Sequence, residues 1–199
     1  MGSDLTHWRR AERTRLQSER MLQTAETRRA ASIVLADHLR ALLNQHFGGA
    51  VGRVFSGYWP IKGEPNLRPT MVELHGSGAT VALPVVEAKA APMVFRRWTP
   101  TTQMVRGDWN IPVPPPESDQ VMPEITLAPL VGWDCSGYRL GYGGGYFDRT
   151  LAVLDPRPFT IGIGWQSAQL ATIHPQPHDI PLDVILTETG VQAIREIPW

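Results

Sequence analysis

Residues 139–149, Arg-Leu-Gly-Tyr-Gly-Gly-Gly-Tyr-Phe-Asp-Arg, constrain this chain more than any other stretch. Four glycines fall within five positions, Gly141 and Gly143 to Gly145. They follow the apolar run 125–131, Ile-Thr-Leu-Ala-Pro-Leu-Val, and precede a segment of helical composition from Tyr146 to Leu154. Strand, glycine loop and helix in that order bring bare backbone N–H groups to a helix N-terminus, where they can cradle a phosphate. The same glycines would also suit a plain surface turn, since they supply the freedom any sharp bend requires. Two charged neighbours favour the phosphate: Arg139 offers a cation for its oxygens, and Asp148 a carboxylate suited to Mg²⁺. Neither standard glycine loop is present. A Walker loop requires Gly-Lys-Ser/Thr, and the dinucleotide fingerprint requires glycine where Tyr146 stands.

At 199 residues the chain can bury one sizeable core, so a single domain over residues 1–199 is expected. A formal net charge of +0 gives no electrostatic case for nucleic acid or an anionic membrane as a partner. Cys135 is the only cysteine, which rules out an intrachain disulfide and fits a reducing, cytoplasmic setting. No apolar run approaches the roughly 20 residues of a membrane span.

Along the chain, residues 5–22 are helix-permissive and rich in arginine, and Arg9 and Arg13, four apart, share a helix face. That face is either solvated or anion-binding. A second helix is expected from Thr24, which can cap it, to His46, with Leu35, Leu39, Leu42 and Leu43 as its apolar stripe and Gly48-Gly49 as its stop. Residues 51–58 read as a strand delivering Trp59 and Glu64 to its end. Aromatics beside a lone carboxylate suit a flat heterocycle, although Trp59 could equally be core and Glu64 a turn residue. A short helix over 69–77 and strands over 79–86 and 92–98 follow, the last two close enough to pair as a hairpin. The Pro-rich stretch 99–124 reads as a long surface loop, 159–165 as a strand, and 184–187 as the last strand. His174, His178, Asp179 and Asp183 invite a metal reading but lack zinc spacing; Mg²⁺ fits better, since it wants only one or two carboxylates beside phosphate oxygens, and Asp183 reads as structural. Alternating strands and helices give an α/β three-layer sandwich, Rossmann-like, with a mostly parallel mixed sheet and the site at the strand carboxyl ends.

Residues 139–148 resemble the signature of the 5-formyltetrahydrofolate cyclo-ligase (5,10-methenyltetrahydrofolate synthetase) family, Arg-Leu-Gly-x-Gly-x-Gly-Tyr-Tyr-Asp, a loop that holds ATP. The resemblance extends over nearly the whole chain and is strongest from 125 to 151. It implies ATP- and Mg²⁺-dependent conversion of 5-formyltetrahydrofolate to 5,10-methenyltetrahydrofolate, by a monomer or weak homodimer. It also implies that Arg139, Leu140, Gly141, Tyr142, Gly143, Gly144, Gly145, Tyr146 and Phe147 form the ATP loop, with Arg139 and Tyr146 catalytic. Arg9 and Arg13 match the family's Lys and Arg on the triphosphate. Asp148 and Asp179 match its Mg²⁺ ligands, and Trp59, Glu64 and Tyr146 fall on the folate side, which Phe147 also borders. Three departures stand out: Arg9 replaces Lys, Phe147 replaces a second Tyr, and Pro65-Asn66-Leu67 replaces Ile-Asp-Thr after the glutamate. The last makes another formylated or pterin-like substrate an alternative, and a non-enzymatic nucleotide- or folate-binding protein is the other.

Overall fold

The structure, a computed structural model, describes residues 2–195. Two long helices open the chain, α1 (Gly2–Leu22) and α2 (Ala25–Phe47). Thr24 caps α2 by accepting the Thr27 N–H at 3.1 Å, and Gly48 ends it in the left-handed conformation at φ 65°. There follow β1 (Val54–Ser56), α3 (Arg68–Gly76), β2 (Thr80–Val85), β3 (Val94–Arg97), β4 (Val105–Arg106), β5 (Pro112–Val113) and β6 (Ile125–Pro129). The remaining elements are β7 (Gly132–Trp133), β8 (Arg139–Leu140), α4 (Tyr146–Val153), β9 (Phe159–Ile163), β10 (Val184–Thr187) and β11 (Gly190–Ile194).

Seven strands form one sheet in the order β11-β10-β9-β6-β1-β2-β3. The inner pairs are parallel, and antiparallel β3 and β11 close the two edges. The β2–β3 pair is the expected hairpin. The sheet has an apolar cluster on each face, which accounts for strands that read as nearly continuous apolar runs. On one face Phe55, Leu83, Leu127, Ile163 and Leu186 meet the leucines of α2 and Met71 of α3. On the other, Ala128, Leu130 and Ile185 meet Leu16 of α1, Trp133 and Leu151 of α4. This is the expected three-layer α/β arrangement.

Four local expectations change. The first strand begins at Val54, because Arg53 closes a turn onto the Ala50 carbonyl at 3.1 Å. The strand at 184–187 is followed by β11, whose alternation is too polar to stand out from a tail. The β7–β8 hairpin intervenes between β6 and the glycine loop, so the loop does not leave the sheet directly. Finally, 99–124 is not merely a surface loop: it contains the β4–β5 hairpin and a 3-10 turn at Asp108–Asn110.

Connections from β1 run one way along the sheet to β2 and β3, whereas β6, β9 and β10 lie on its other side. The order therefore switches between β1 and β6, and a crevice opens at the carboxyl ends of these two strands.

Candidate active site

The crevice is a cavity bordered by Tyr58, Trp59 and Glu64 after β1, Pro84 in β2, Pro129 at the end of β6, and the glycine loop. The loop shapes itself through backbone conformations that side chains resist: Gly143 has φ 97° and Gly145, which caps α4, has φ 63°. Gly144 has no such φ, but a Cβ there would lie 2.8 Å from the Tyr146 ring. No side chain caps α4, and among the described residues none of the N–H groups of residues 141–145 donates to a protein acceptor. These donors, with the first turn of α4, are available to an anion. Leu140 contributes no side chain; it is 1% exposed, and its carbonyl accepts the Val131 N–H at 2.8 Å.

The two expected helix arginines have different environments. Arg13 Nε donates to the Gly141 carbonyl at 2.8 Å, its guanidinium lies beside Gly143, and its terminal nitrogens make no hydrogen bond among the described residues. Burial and the neighbouring Arg9 charge lower its pKa, the electrostatic sign of a site with room for negative charge. Arg9 instead grips Asp179 at 2.5 Å and donates to the carbonyls of Ile173 and His174 at 3.2 and 2.8 Å. Arg10 is exposed.

Arg139 is 7% exposed and donates to Asp148 Oδ1 at 3.0 Å and to the Ile180 carbonyl at 3.0 Å. Burial lowers its pKa, against the pull of Asp148. Asp148 Oδ1 also accepts the Ile180 N–H at 3.0 Å, while its Oδ2 has no protein partner among the described residues. Burial works against the charge of Asp179, but hydrogen bonds from Arg9 and the Gln176 N–H outweigh it and hold the pKa below the usual carboxylate value. Among the described residues no three His, Cys, Asp or Glu side chains cluster as a ready-made metal cage. Mg²⁺ does not require one, since it typically takes one or two carboxylates and fills its shell with phosphate oxygens and water. The open Asp148 Oδ2 fits that donor set.

At the other end, Glu64 is 6% exposed. Its Oε2 accepts the Ile61 N–H at 2.9 Å and its Oε1 accepts the Tyr142 hydroxyl at 2.8 Å. Burial pushes its pKa up to about 7, partly opposed by those two hydrogen bonds and by Arg20 and Lys62. Trp59 borders the cavity half-buried, with the Arg68 guanidinium 5.0 Å from its ring. Tyr146 and Phe147 border it from α4, with Arg149 and Arg139 against their rings at 5.4 and 5.6 Å. The departures at Pro65, Asn66 and Leu67 do not border the cavity. The Pro65 carbonyl accepts the Tyr58 hydroxyl at 2.6 Å, the Asn66 N–H donates to Ser32 Oγ at 3.0 Å, and Leu67 is buried.

Sequence reasoning missed two contributors. Trp109, from the Pro-rich stretch, stands edge-on to Tyr146 with ring centroids 5.8 Å apart, and Ile111 and Val113 join it along the cavity. A tryptophan inside a proline-rich run was the available signal. Arg20 is 3% exposed beneath the glycine loop; it continues the face of Arg9 and Arg13 at a further seven positions, a spacing that could have revealed it.

The family model for the 5-formyltetrahydrofolate cyclo-ligase family matches residues 5–188. The chain is 32% identical over 161 residues to the 5-formyltetrahydrofolate cyclo-ligase of Mycolicibacterium smegmatis, covering 72% of this chain and 78% of that protein. It is 29% identical over 187 residues to the enzyme of the same name from Haemophilus influenzae, covering 91% and 98%. The NMR structure of 5,10-methenyltetrahydrofolate synthetase from Aquifex aeolicus superposes with a TM-score of 0.77 at 26% identity, covering 96% of this chain and 95% of that one. The Mycoplasma pneumoniae 5,10-methenyltetrahydrofolate synthetase shares the fold, with a TM-score of 0.73 at 22% identity.

Proposed function

The chain belongs to the 5-formyltetrahydrofolate cyclo-ligase family, and we propose that it closes 5-formyltetrahydrofolate to 5,10-methenyltetrahydrofolate at the expense of ATP. One observation carries this reading. A single cavity is bordered at one end by the glycine loop, Arg139 and Asp148 and at the other by Glu64, Trp59, Tyr146 and Phe147, so phosphate donor and heterocycle can meet in it.

The chemistry explains why both ends are needed. The formyl oxygen is a poor leaving group, so it first takes the γ-phosphoryl group of ATP, releasing ADP. The N10 lone pair then attacks the activated carbon and closes the ring, N10 loses its proton, and phosphate departs with the former formyl oxygen and its bonding pair. Such transfer depends mainly on positioning and charge neutralisation. Arg13, whose terminal nitrogens are unused among the described residues, and the loop N–H groups bind the polyphosphate. Arg139 stabilises charge on the moving phosphoryl group while held in place by Asp148 and Ile180. Arg9 reaches phosphate by giving up Asp179, which together with Asp148 would hold Mg²⁺; that ion supplies further neutralisation of the phosphate oxygens. Glu64 accepts N–H groups of the pterin, and Tyr146 and Phe147 flank the folate, the ring of Phe147 serving without a hydroxyl.

The decisive experiment incubates purified protein with 5-formyltetrahydrofolate, ATP and Mg²⁺ and follows the methenyl chromophore. Its appearance, stoichiometric with ADP, is expected. ATP binding without any reduced-folate binding would overturn the substrate in favour of another formylated or pterin-like compound. Binding of both without turnover would make the protein a sensor. Pro65, Asn66 and Leu67 do not line the cavity, which supports the folate reading despite that departure.

A further inference from the structure

Arg20 does not border the cavity, yet it touches three of the segments that converge at the strand switch point. Its NH2 donates to the Leu130 carbonyl just after β6 at 3.1 Å, and its NH1 to the Tyr142 hydroxyl at 3.4 Å. Its stem lies against Gly63, in the loop that carries Glu64; a Cβ on Gly63 would meet Arg20 Cδ at 3.3 Å, and Gly63 takes φ 74°. A phenol has one proton and accepts through its oxygen. With Arg20 donating to that oxygen, the Tyr142 proton is left for Glu64 Oε1, 2.8 Å away. The Ile61 N–H occupies Oε2.

We propose that Arg20 is a positioning residue for the reaction, fixing the Tyr142 hydroxyl so that its proton points at Glu64 and holds that carboxylate in one orientation toward the cavity. This rests on the reading of Glu64 as the carboxylate that meets the pterin. The groups facing Glu64 are few: Arg20 from α1, Lys62 from its own loop, Tyr58 from the end of β1 and Tyr142 from the glycine loop. Lys62 is exposed and sits over the Tyr142 ring at 5.4 Å, so Arg20 is the buried cation of the set. Burial raises the Glu64 pKa, and the charge of Arg20 and the Tyr142 hydrogen bond pull it back. The chain thus links the nucleotide loop to the folate carboxylate through one hydroxyl.

The test is a carboxyl-¹³C NMR titration of the full-length protein with labelled glutamate, Glu64 being assigned by its disappearance in Glu64→Gln. Arg20→Met keeps the stem and removes the charge, Tyr142→Phe removes one oxygen, and Arg20→Lys restores the charge. In both Arg20→Met and Tyr142→Phe the Glu64 midpoint is expected to rise by about one pH unit, and Arg20→Lys to return most of it. The acidic limb of 5-formyltetrahydrofolate affinity should move with it while MgATP affinity stays within about twofold in Arg20→Met, whereas a purely structural Arg20 would lower only the melting temperature. A midpoint that stays put in folded variants overturns the inference. Should Arg20→Met fail to fold, Tyr142→Phe decides by the same criterion. Wild-type protein that binds no reduced folate overturns the proposed activity and with it Arg20's part in it, a result distinct from folate binding with an unmoved midpoint.

Discussion

The two ends of the cavity are built in opposite ways. The proposed phosphate end is largely backbone: a run of glycines, N–H groups without a protein partner among the described residues and the first turn of α4, all within a dozen consecutive residues, to which α1 adds Arg13. The proposed folate end is side chain, assembled from the segment after β1, the 99–124 excursion and α4, with Arg20 of α1 behind it. A backbone site depends on local conformation and so appears as a local motif. A side-chain site depends on which distant segments the sheet brings together, and the departures at Pro65, Asn66 and Leu67 lie outside its lining.

That contrast is broken most severely by Gly144→Val. The new side chain would collide with the Tyr146 ring and approach Trp109. MgATP affinity and turnover are expected to fall about 1,000-fold, with the melting temperature little changed, because several oriented donors are lost at once. Calorimetric titration with MgATP alongside a thermal melt measures both, and normal nucleotide binding would reduce the loop to a turn.

Asp148→Asn is the next largest. Nucleotide affinity in the presence of Mg²⁺ should drop by about 10- to 100-fold, since the open oxygen loses its charge. It should also cost up to about 3 kcal/mol of stability, because buried Arg139 loses its ionic partner. Comparing MgATP with metal-free ATP separates the two effects: equal losses with and without Mg²⁺ would assign Asp148 to holding Arg139 alone.

Glu64→Gln sharpens the other side. Reduced-folate affinity should fall about 10- to 100-fold through loss of a charged acceptor, and MgATP affinity should hold. In the wild type, folate affinity should rise with pH through about 7, the value to which burial pushes Glu64. Stability runs the other way. Between the ordinary 4.5 and about 7 the native state keeps a proton that the unfolded chain has released, so Glu64's contribution to stability falls as pH rises across that window. Denaturant melts at several pH values should show this slope in the wild type and not in Glu64→Gln; identical slopes would mean Glu64 titrates like an exposed glutamate.

Trp109→Ala should have the smallest effect, about tenfold on the KM for 5-formyltetrahydrofolate with kcat for bound substrate nearly preserved, through loss of one aromatic wall and its edge-on contact with Tyr146. An unchanged KM would return the 3-10 turn at 108–110 to scaffold.

By itself the sequence determined the helices at the start, the parallel core strands, the glycine loop and its charged flanks, and hence the family. Each is encoded in neighbouring residues: the leucine stripe of α2, the Thr24 cap, the apolar run before the loop. Tertiary structure alone decided that Arg9 pairs with Asp179 while the terminal nitrogens of Arg13 have no partner among the described residues, that Arg139 is locked to Asp148, that Trp109 borders the cavity beside Tyr146, and that Arg20 reaches Glu64 through Tyr142. Those residues lie up to 170 positions apart, and beyond the helix spacing of Arg9, Arg13 and Arg20 no periodicity connects them. They meet because the strand order reverses between β1 and β6, and a side chain acquires its partner, burial and proton affinity only once that crevice exists.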